Sequence, residues 1–515
     1  MRRPLIFPSF FIMLFLLCTT MVNAQNNQIQ TDAVDIKQLI LEIEKNPEDL
    51  SLHEKYLKAS GFTKWGAEEN QEFVQQYERW IKKYPNSATL YYALGHAYAG
   101  KESPKAKKYL LRAVELDPKF DKAYYDLWID GERWGDFKVS REYLAKAKEA
   151  NPSSADYAFY YANGFSDSDP EKYKTLSLEV ANKFPNTERG AQALYWLGNR
   201  SEDVNVKTMA YEKLLKEFAP NKFRWSASGM SSYFDLLLTI ESNKAIELAQ
   251  TMIRLNGQDD KTWNANLKTA KNINEAQKLL HSGKAVEAVA FIEQVAVPRW
   301  SSSKGFVLSL KSTILDAAGK TATAYQNLLE AFVKEPTGEM HDQLIKYGDK
   351  LGKNAKKIND DIWFIRDTAA KVAPDFTMET YMTKGKTSLS DYKGKVVLLT
   401  YWFPGCGPCR GEFPHFENVV RKFKGKDLIY LGINIVPEQD EYVVPFMKSS
   451  GYSFTPIKDH KNWEKGPLDN RNAAPVNFLI DPDGNIIFSR FRTDGSNEET
   501  LELMIKSLLE RNKSA

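Results

Sequence analysis

The sequence predicts a multidomain protein, an all-α region of helical repeats followed by a small α/β domain. Three observations carry that expectation. From about residue 30 to 365, apolar residues recur at three- and four-residue spacing among abundant Ala, Leu, Lys, Glu and Tyr, which is a helical period. Within that stretch Pro85, Pro118, Pro152, Pro185 and Pro220 stand 33, 34, 33 and 35 residues apart. Near residue 365 the character changes, and Lys395 to Phe403 (KVVLLTYWF) is a β-rich apolar run. The boundaries that follow are residues 1–24, 25–365 and 366–515.

At 515 residues the chain has room for two to four domains of ~150 residues. Hydrophobic residues make up 43% and charged residues 27%, a balance that excludes disorder or a collagen-like chain for most of it. A net charge of +3 without any Lys/Arg block gives no electrostatic reason to expect nucleic acid.

The first element reads as an export signal. Arg2 and Arg3 precede an apolar run from Leu5 to Leu17, and Val22-Asn23-Ala24 supplies small residues for cleavage. The run is shorter than the ~20 residues a membrane span needs, so cleavage after Ala24 is the expectation and a retained anchor the alternative. Lipidation at Cys18 is disfavoured by bulky Leu17 before it. The predicted location is extracytoplasmic, in the periplasm or cell envelope. Of three cysteines only Cys406 and Cys409 remain after cleavage, and one close pair is chemistry rather than a disulfide scaffold.

In the second element each proline closes a helical run, as in Lys83-Tyr84-Pro85-Asn86-Ser87 and Lys183-Phe184-Pro185-Asn186-Thr187. A period near 34 marks stacked helical hairpins, none able to bury its apolar face alone. Leu94, Gly95 and Tyr98, then Ala106, Leu110, Ala113 and Pro118, resemble the two helices of a tetratricopeptide repeat. The offsets recur at Ser140, Leu144, Ala147 and Pro152, and at Ala324, Leu328, Ala331 and Pro336. Windows ending at Pro185 and Pro220 keep the stop and lose the small residues, and residues 225–300 match the repeat poorly. An irregular helical domain is the alternative. A solenoid would offer a surface to a protein or peptide partner.

The third element reads β-α-β-α-β-β-α: strands Lys395 to Phe403, Asp427 to Val436, Pro475 to Asp481 and Asn485 to Phe491, with helices Gly407 to Lys424, Glu438 to Ser450 and Asn497 to Leu509. Asp481-Pro482-Asp483-Gly484 is the turn of a hairpin. Cys406-Gly407-Pro408-Cys409 lies after the first strand and opens the first helix. A thiolate there faces unpaired N–H groups and the positive end of the helix dipole, which lower the first cysteine's pKa. Pro408 suits the first helical turn, and Arg410, one turn beyond Cys406, adds positive potential.

The region from 373 to 512 resembles the thioredoxin superfamily, and within it the exported TlpA/ResA-like thiol-disulfide oxidoreductases. The resemblance rests on Ala373-Pro374-Asp375-Phe376, Ser388 to Lys395, Trp402 four residues before the first cysteine, Glu412-Phe413-Pro414, and Ala474-Pro475-Val476-Asn477-Phe478-Leu479-Ile480-Asp481 with Gly484 after it. It implies a thioredoxin-like fold in which Cys406 attacks, Cys409 resolves and Pro475 is cis beside the disulfide. Trp402, Gly407, Pro408 and Ala474 support them. Glu412, one turn past Cys409, would be the buried acid/base of the pair, with a solvated helix carboxylate as the alternative.

Two positions depart from the family. Thr400 stands where many thioredoxins have a buried Asp, leaving proton transfer to Glu412 or water. Phe403-Pro404-Gly405 replaces the usual aromatic before the first cysteine, which should expose its sulfur more. Zinc would need four ligands, and only His415 is near. Covalent haem would need His where Arg410 stands, and a peroxidase of the alkyl hydroperoxide reductase/thiol-specific antioxidant kind needs Thr where Phe403 stands.

The expected activity is thus dithiol/disulfide exchange with cysteines of envelope proteins, as a reductant rather than a strong oxidase because Gly407-Pro408 is thioredoxin's own pair. No cofactor or metal is expected, and a reductant needs an upstream electron donor. The competing expectations are a repeat scaffold with a secondary redox domain, and the peroxidase.

Overall fold

The computed structural model describes residues 35–63, 69–298, 300–461 and 463–511. The export-signal reading, with Arg2, Arg3, Cys18 and Ala24, lies outside them. The chain falls into two compact units, Met1–Pro118 and Lys119–Ala515. No described helix is long and apolar enough to cross a membrane.

In the first unit the described helices are Ile36–Lys45, Leu50–Ser60, Gln71–Lys83, Ala88–Gly100 and Ala106–Leu116. The punctuation seen in sequence has a local cause. Pro85 stands two residues past the end of Gln71–Lys83, and the Ser87 hydroxyl then accepts the Leu90 N–H at 3.3 Å to start the next helix. Gly95 permits close packing of the last two helices, since a Cβ there would stand 2.9 Å from the Leu110 side chain. Leu90, Leu94, Ala97, Leu110 and Ala113 are fully buried between them.

In the second unit every described regular element from Asp121 to Ala369 is an α-helix. Numbering the helices and strands that frame the site, α1 is Asp121–Arg133, α2 is Phe137–Ala150 and α3 is Ala355–Ala369. Stop and cap alternate as before: Pro152 precedes Ser154, which caps Ala155–Asn163, and Pro185 precedes Thr187, which caps Glu188–Arg200. The window ending at Pro220, read as having lost its small residues, keeps one at Gly198, where a Cβ would meet the Tyr211 ring at 2.6 Å.

The sheet follows α3. Its strands are β1 (Lys371–Val372), β2 (Thr377–Thr380), β3 (Lys386–Ser388), β4 (Val396–Trp402), β5 (Leu428–Asn434), β6 (Thr455–Lys458), β7 (Val476–Ile480) and β8 (Asn485–Phe491), in the order β1-β8-β7-β4-β5-β6-β2-β3. β5 runs parallel to β4 and to β6, whereas β7 is antiparallel to β4. The β-α-β-α-β-β-α reading therefore lacks four strands. β1, β2 and β3 have two to four residues each, too few to show a period, and β6 carries Pro456, which argues against an inner strand.

Three helices cover this sheet: α4 (Gly407–Lys422), α5 (Asp440–Ser450) and α6 (Glu498–Arg511). All seven residues of β4 are buried, which explains the unbroken apolar run. Alternate side chains serve two cores. Val396, Leu398 and Trp402 face Phe413, Phe446, Met504 and Leu508 of the helices, whereas Val397, Leu399 and Tyr401 pack with Phe376, Met378, Leu389 and Leu468.

Candidate active site

β4 ends on Trp402, whose carbonyl accepts the Ile435 N–H at 3.0 Å, and the chain turns through Phe403-Pro404-Gly405. The Cys406 N–H donates to the Phe403 carbonyl at 3.0 Å, closing the turn. Gly405 is held closely: its N–H donates to Gln439 Oε1 at 2.6 Å, and a Cβ would stand 2.8 Å from that buried amide.

Cys406 is the N-cap of α4, and its Sγ accepts the Cys409 N–H at 3.2 Å. The helix start thus directs an unpaired backbone donor at the first sulfur, an arrangement that favours negative charge on it. Cys406 and Cys409 form a disulfide with a Cα–Cα distance of 5.2 Å. Gly407 leaves open space beside it, with no atom within 4 Å of a notional Cβ, and Pro408 occupies the first turn.

The sequence predicts that losing the aromatic before Cys406 exposes its sulfur. The structure corrects this: Cys406 is 2% exposed and Cys409 0%. Both belong to a core cluster with Trp402 and Phe413, against which Phe403 and Ala474 pack, so the turn folds its remaining ring inward. Trp402 is wholly buried, edge-on to Phe413 and Phe454. The Ala474–Pro475 peptide is cis and enters β7.

Glu412 lies one helical turn past Cys409 and is 3% exposed. Asn477 Nδ2 donates to its Oε2 at 3.0 Å, the Thr493 N–H donates to its Oε1 at 3.2 Å, and the Arg492 guanidinium pairs with Oε1. Burial pushes the Glu412 carboxyl above its ordinary value, while Asn477, Arg492 and Thr493 pull it back. Thr400 sits opposite Asn477 in the β4–β7 register. The hydroxyls of Thr400 and Thr493 and the Asn477 carbonyl oxygen are buried without a hydrogen bond to protein. The sheet partner and the arginine are not visible in sequence, because Asn477 and Arg492 lie 65 and 80 residues from Glu412.

Arg410 does not stand free beside the motif. Its Nη1 donates to the Pro404 carbonyl at 3.0 Å, and its Nε lies 3.5 Å from Glu132 Oε2 at the end of α1. The structure thus brings Cys406, Cys409, Glu412, Trp402, Gly407 and Pro408 to one end of β4 and α4, with Ala474 and Pro475 immediately before the adjacent β7. A cleft of about 220 Å3 lined by Ala373, Lys393, Ile480 and Asp483 lies at the other end of β4 and touches none of them.

Residues 369–489 match the AhpC/TSA family. The chain is 37% identical over 118 residues to thiol-disulfide oxidoreductase ResA of Bacillus subtilis, covering 22% of this chain and 63% of that protein. It is 30% identical over 154 residues to ResA of Geobacillus kaustophilus, covering 28% of this chain and 83% of that one. It thus spans under two thirds of the Bacillus subtilis relative's length. A solved structure of a thiol:disulfide interchange protein DsbE from Chlorobium tepidum is 29% identical, covers 27% of this chain and 96% of its own, and has a TM-score of 0.25.

Proposed function

Since the chain belongs, through its C-terminal domain, to the ResA-like thiol-disulfide oxidoreductases, we propose that the whole protein is an exported reductant of disulfides in envelope proteins. The observation that carries this reading is the Cys406–Cys409 disulfide at the start of α4, its first sulfur capping the helix. In the dithiol form the Cys406 thiolate attacks a substrate disulfide. A Cys406–substrate S–S bond forms, and the other substrate sulfur leaves as a thiolate and takes a proton. The Cys409 thiolate then attacks Cys406 Sγ, and the second substrate sulfur departs. Two electrons pass to substrate, and an upstream donor restores the dithiol.

Glu412 is the group we assign to take the Cys409 proton as that thiol becomes the nucleophile. Its burial one turn away and its raised pKa support the role. Cis Pro475, at the entry to β7, would lie beside the disulfide and leave the backbone before it to pair with a substrate strand. Gly407-Pro408 leans the couple towards thioredoxin, near about −270 mV, and away from strong oxidases near about −120 mV. The helical half, read as tetratricopeptide-like, would hold a protein or peptide partner. The AhpC/TSA match favours a thiol peroxidase as second reading, and Phe403 in the peroxide-activating position argues against it.

The test is insulin reduction by the full chain, compared with Cys406→Ser, beside trapping with Cys409→Ser. Cysteine-dependent turnover and adducts on Cys406 are expected. Equal rates in wild type and Cys406→Ser would sink the reading, and hydroperoxide consumption in place of insulin reduction would establish the peroxidase.

A further inference from the structure

The helical repeats reach the redox motif directly. The α1–α2 turn docks on α5: Tyr442 Oη donates to Asp130 Oδ1 at 2.7 Å, and Trp134 Nε1 donates to Oδ2 at 2.7 Å while its ring meets Tyr442 edge-on. Gly135 has φ +70°, and a Cβ there would stand 2.8 Å from the Phe446 carbonyl oxygen, so the turn touches backbone and not merely side chains. Phe137 meets Phe446 and Tyr452, and Phe446 in turn packs on Trp402 at 5.2 Å. The docking therefore fixes Glu132 relative to α4. Glu132 is itself oriented by Ser140 of α2, whose hydroxyl donates to Oε1 at 2.5 Å and is fully buried. Its other oxygen faces Arg410, the residue after Cys409, and both side chains are 20% exposed.

We propose that Glu132, carried by the helical repeats, is a positioning residue of the redox pair, holding the Arg410 guanidinium on the Pro404 carbonyl and offsetting its charge beside Cys406. The inference rests on the assignment of Cys406 as the attacking thiol. A guanidinium one turn beyond Cys406 favours the thiolate, and a carboxylate paired with that guanidinium removes part of the effect. The repeats would then set how oxidising the couple is, not only what it meets. The other charged groups around this corner are Glu412 with Arg492, and Asp167 and Glu417, which with Arg410 and Glu132 act on the half-buried Tyr452 hydroxyl.

The test titrates the Cys406 thiol in the reduced full chain by the pH dependence of alkylation, and measures the dithiol–disulfide equilibrium against glutathione. Glu132→Gln should raise the acid dissociation constant of the thiol and shift the equilibrium towards the dithiol, each by roughly two- to fivefold, the effect of a partly exposed ion pair. Glu132→Asp should restore wild-type behaviour, and Arg410→Gln should move both readings the opposite way. In an Arg410→Gln background the Glu132→Gln shift should be less than half as large. An equal shift in both backgrounds, or none in either, overturns the proposal. Arg410→Gln also serves if Glu132→Gln does not fold. The proposed function fails separately, through cysteine-independent insulin reduction, which these titrations do not read.

Discussion

Replacing Tyr442 by Phe removes one oxygen atom and leaves every carbon in place, which makes it a clean probe of the joint between the helical region and the thioredoxin-like domain. Asp130 is 1% exposed and Tyr442 0%, so no solvent can take over the lost donor. The Asp130 carboxyl keeps the Trp134 Nε1 hydrogen bond at 2.7 Å on its other oxygen. Removing a donor from a buried carboxylate costs about 1.5–3 kcal/mol, more than the ~1 kcal/mol of an ordinary neutral hydrogen bond. Since the loss falls on the docking of α1 and α2 against α5, it should appear as easier local opening there. Hydrogen exchange of the α5 amides, Asp440–Ser450, should speed up about ten- to hundredfold relative to wild type. Amides of β4, central in the sheet, should change far less. Exchange in α5 within about twofold of wild type would refute the reasoning, and would mean that Asp130 and Tyr442 are not joined in solution. An Asp130→Asn, Tyr442→Phe cycle supplies the pairwise value, and a coupling near zero would refute it equally.

Glu412 offers a pH test whose sign follows from its raised pKa. A carboxyl raised by folding contributes stability that is complete below the unfolded pKa and is lost as pH rises through the folded one. Wild-type stability minus that of Glu412→Gln, from urea unfolding, should therefore fall between the ordinary carboxyl range and the raised value, then level off; a flat difference refutes the assignment. Arg492→Gln removes a group that pulls the pKa down, and should extend that fall to higher pH in the same measurement. In the helical half, Gly198→Ala forces a methyl against the buried Tyr211 ring and should cost about 1–3 kcal/mol, read as a lower thermal midpoint; an unchanged midpoint would show that the hairpin packs more loosely than this contact requires.

The features legible in sequence are those written by neighbouring residues. Cys406 and Cys409 share one helix turn, the strand run from Val396 to Trp402 is continuous, and Pro85, Pro152 and Pro185 each stand two residues before a Ser or Thr cap. Backbone sterics, helix period and capping act over a few residues, so a short window contains their whole cause. The strands with two to four residues lack such a window, and Pro456 contradicts the strand it occupies until β5 and β2 are placed on either side.

Burial and partnership are long-range, and only the tertiary structure decided them. The single letter at 412 is compatible with a solvated carboxylate or a buried one; packing of α4 on β7 and β8 brings Asn477 and Arg492 to it and excludes water. The exposure of Cys406 likewise depends on how Phe403 turns and on Gln439, whose contact with Gly405 spans 34 residues. Across 312 residues, Tyr442 meets Asp130 and seats α1 against α5 of the thioredoxin-like domain. The sequence alone determined the chemistry available, two sulfurs at a helix start; the fold determined which charges and which walls surround them, because electrostatic and packing energies depend on distance in space and not along the chain.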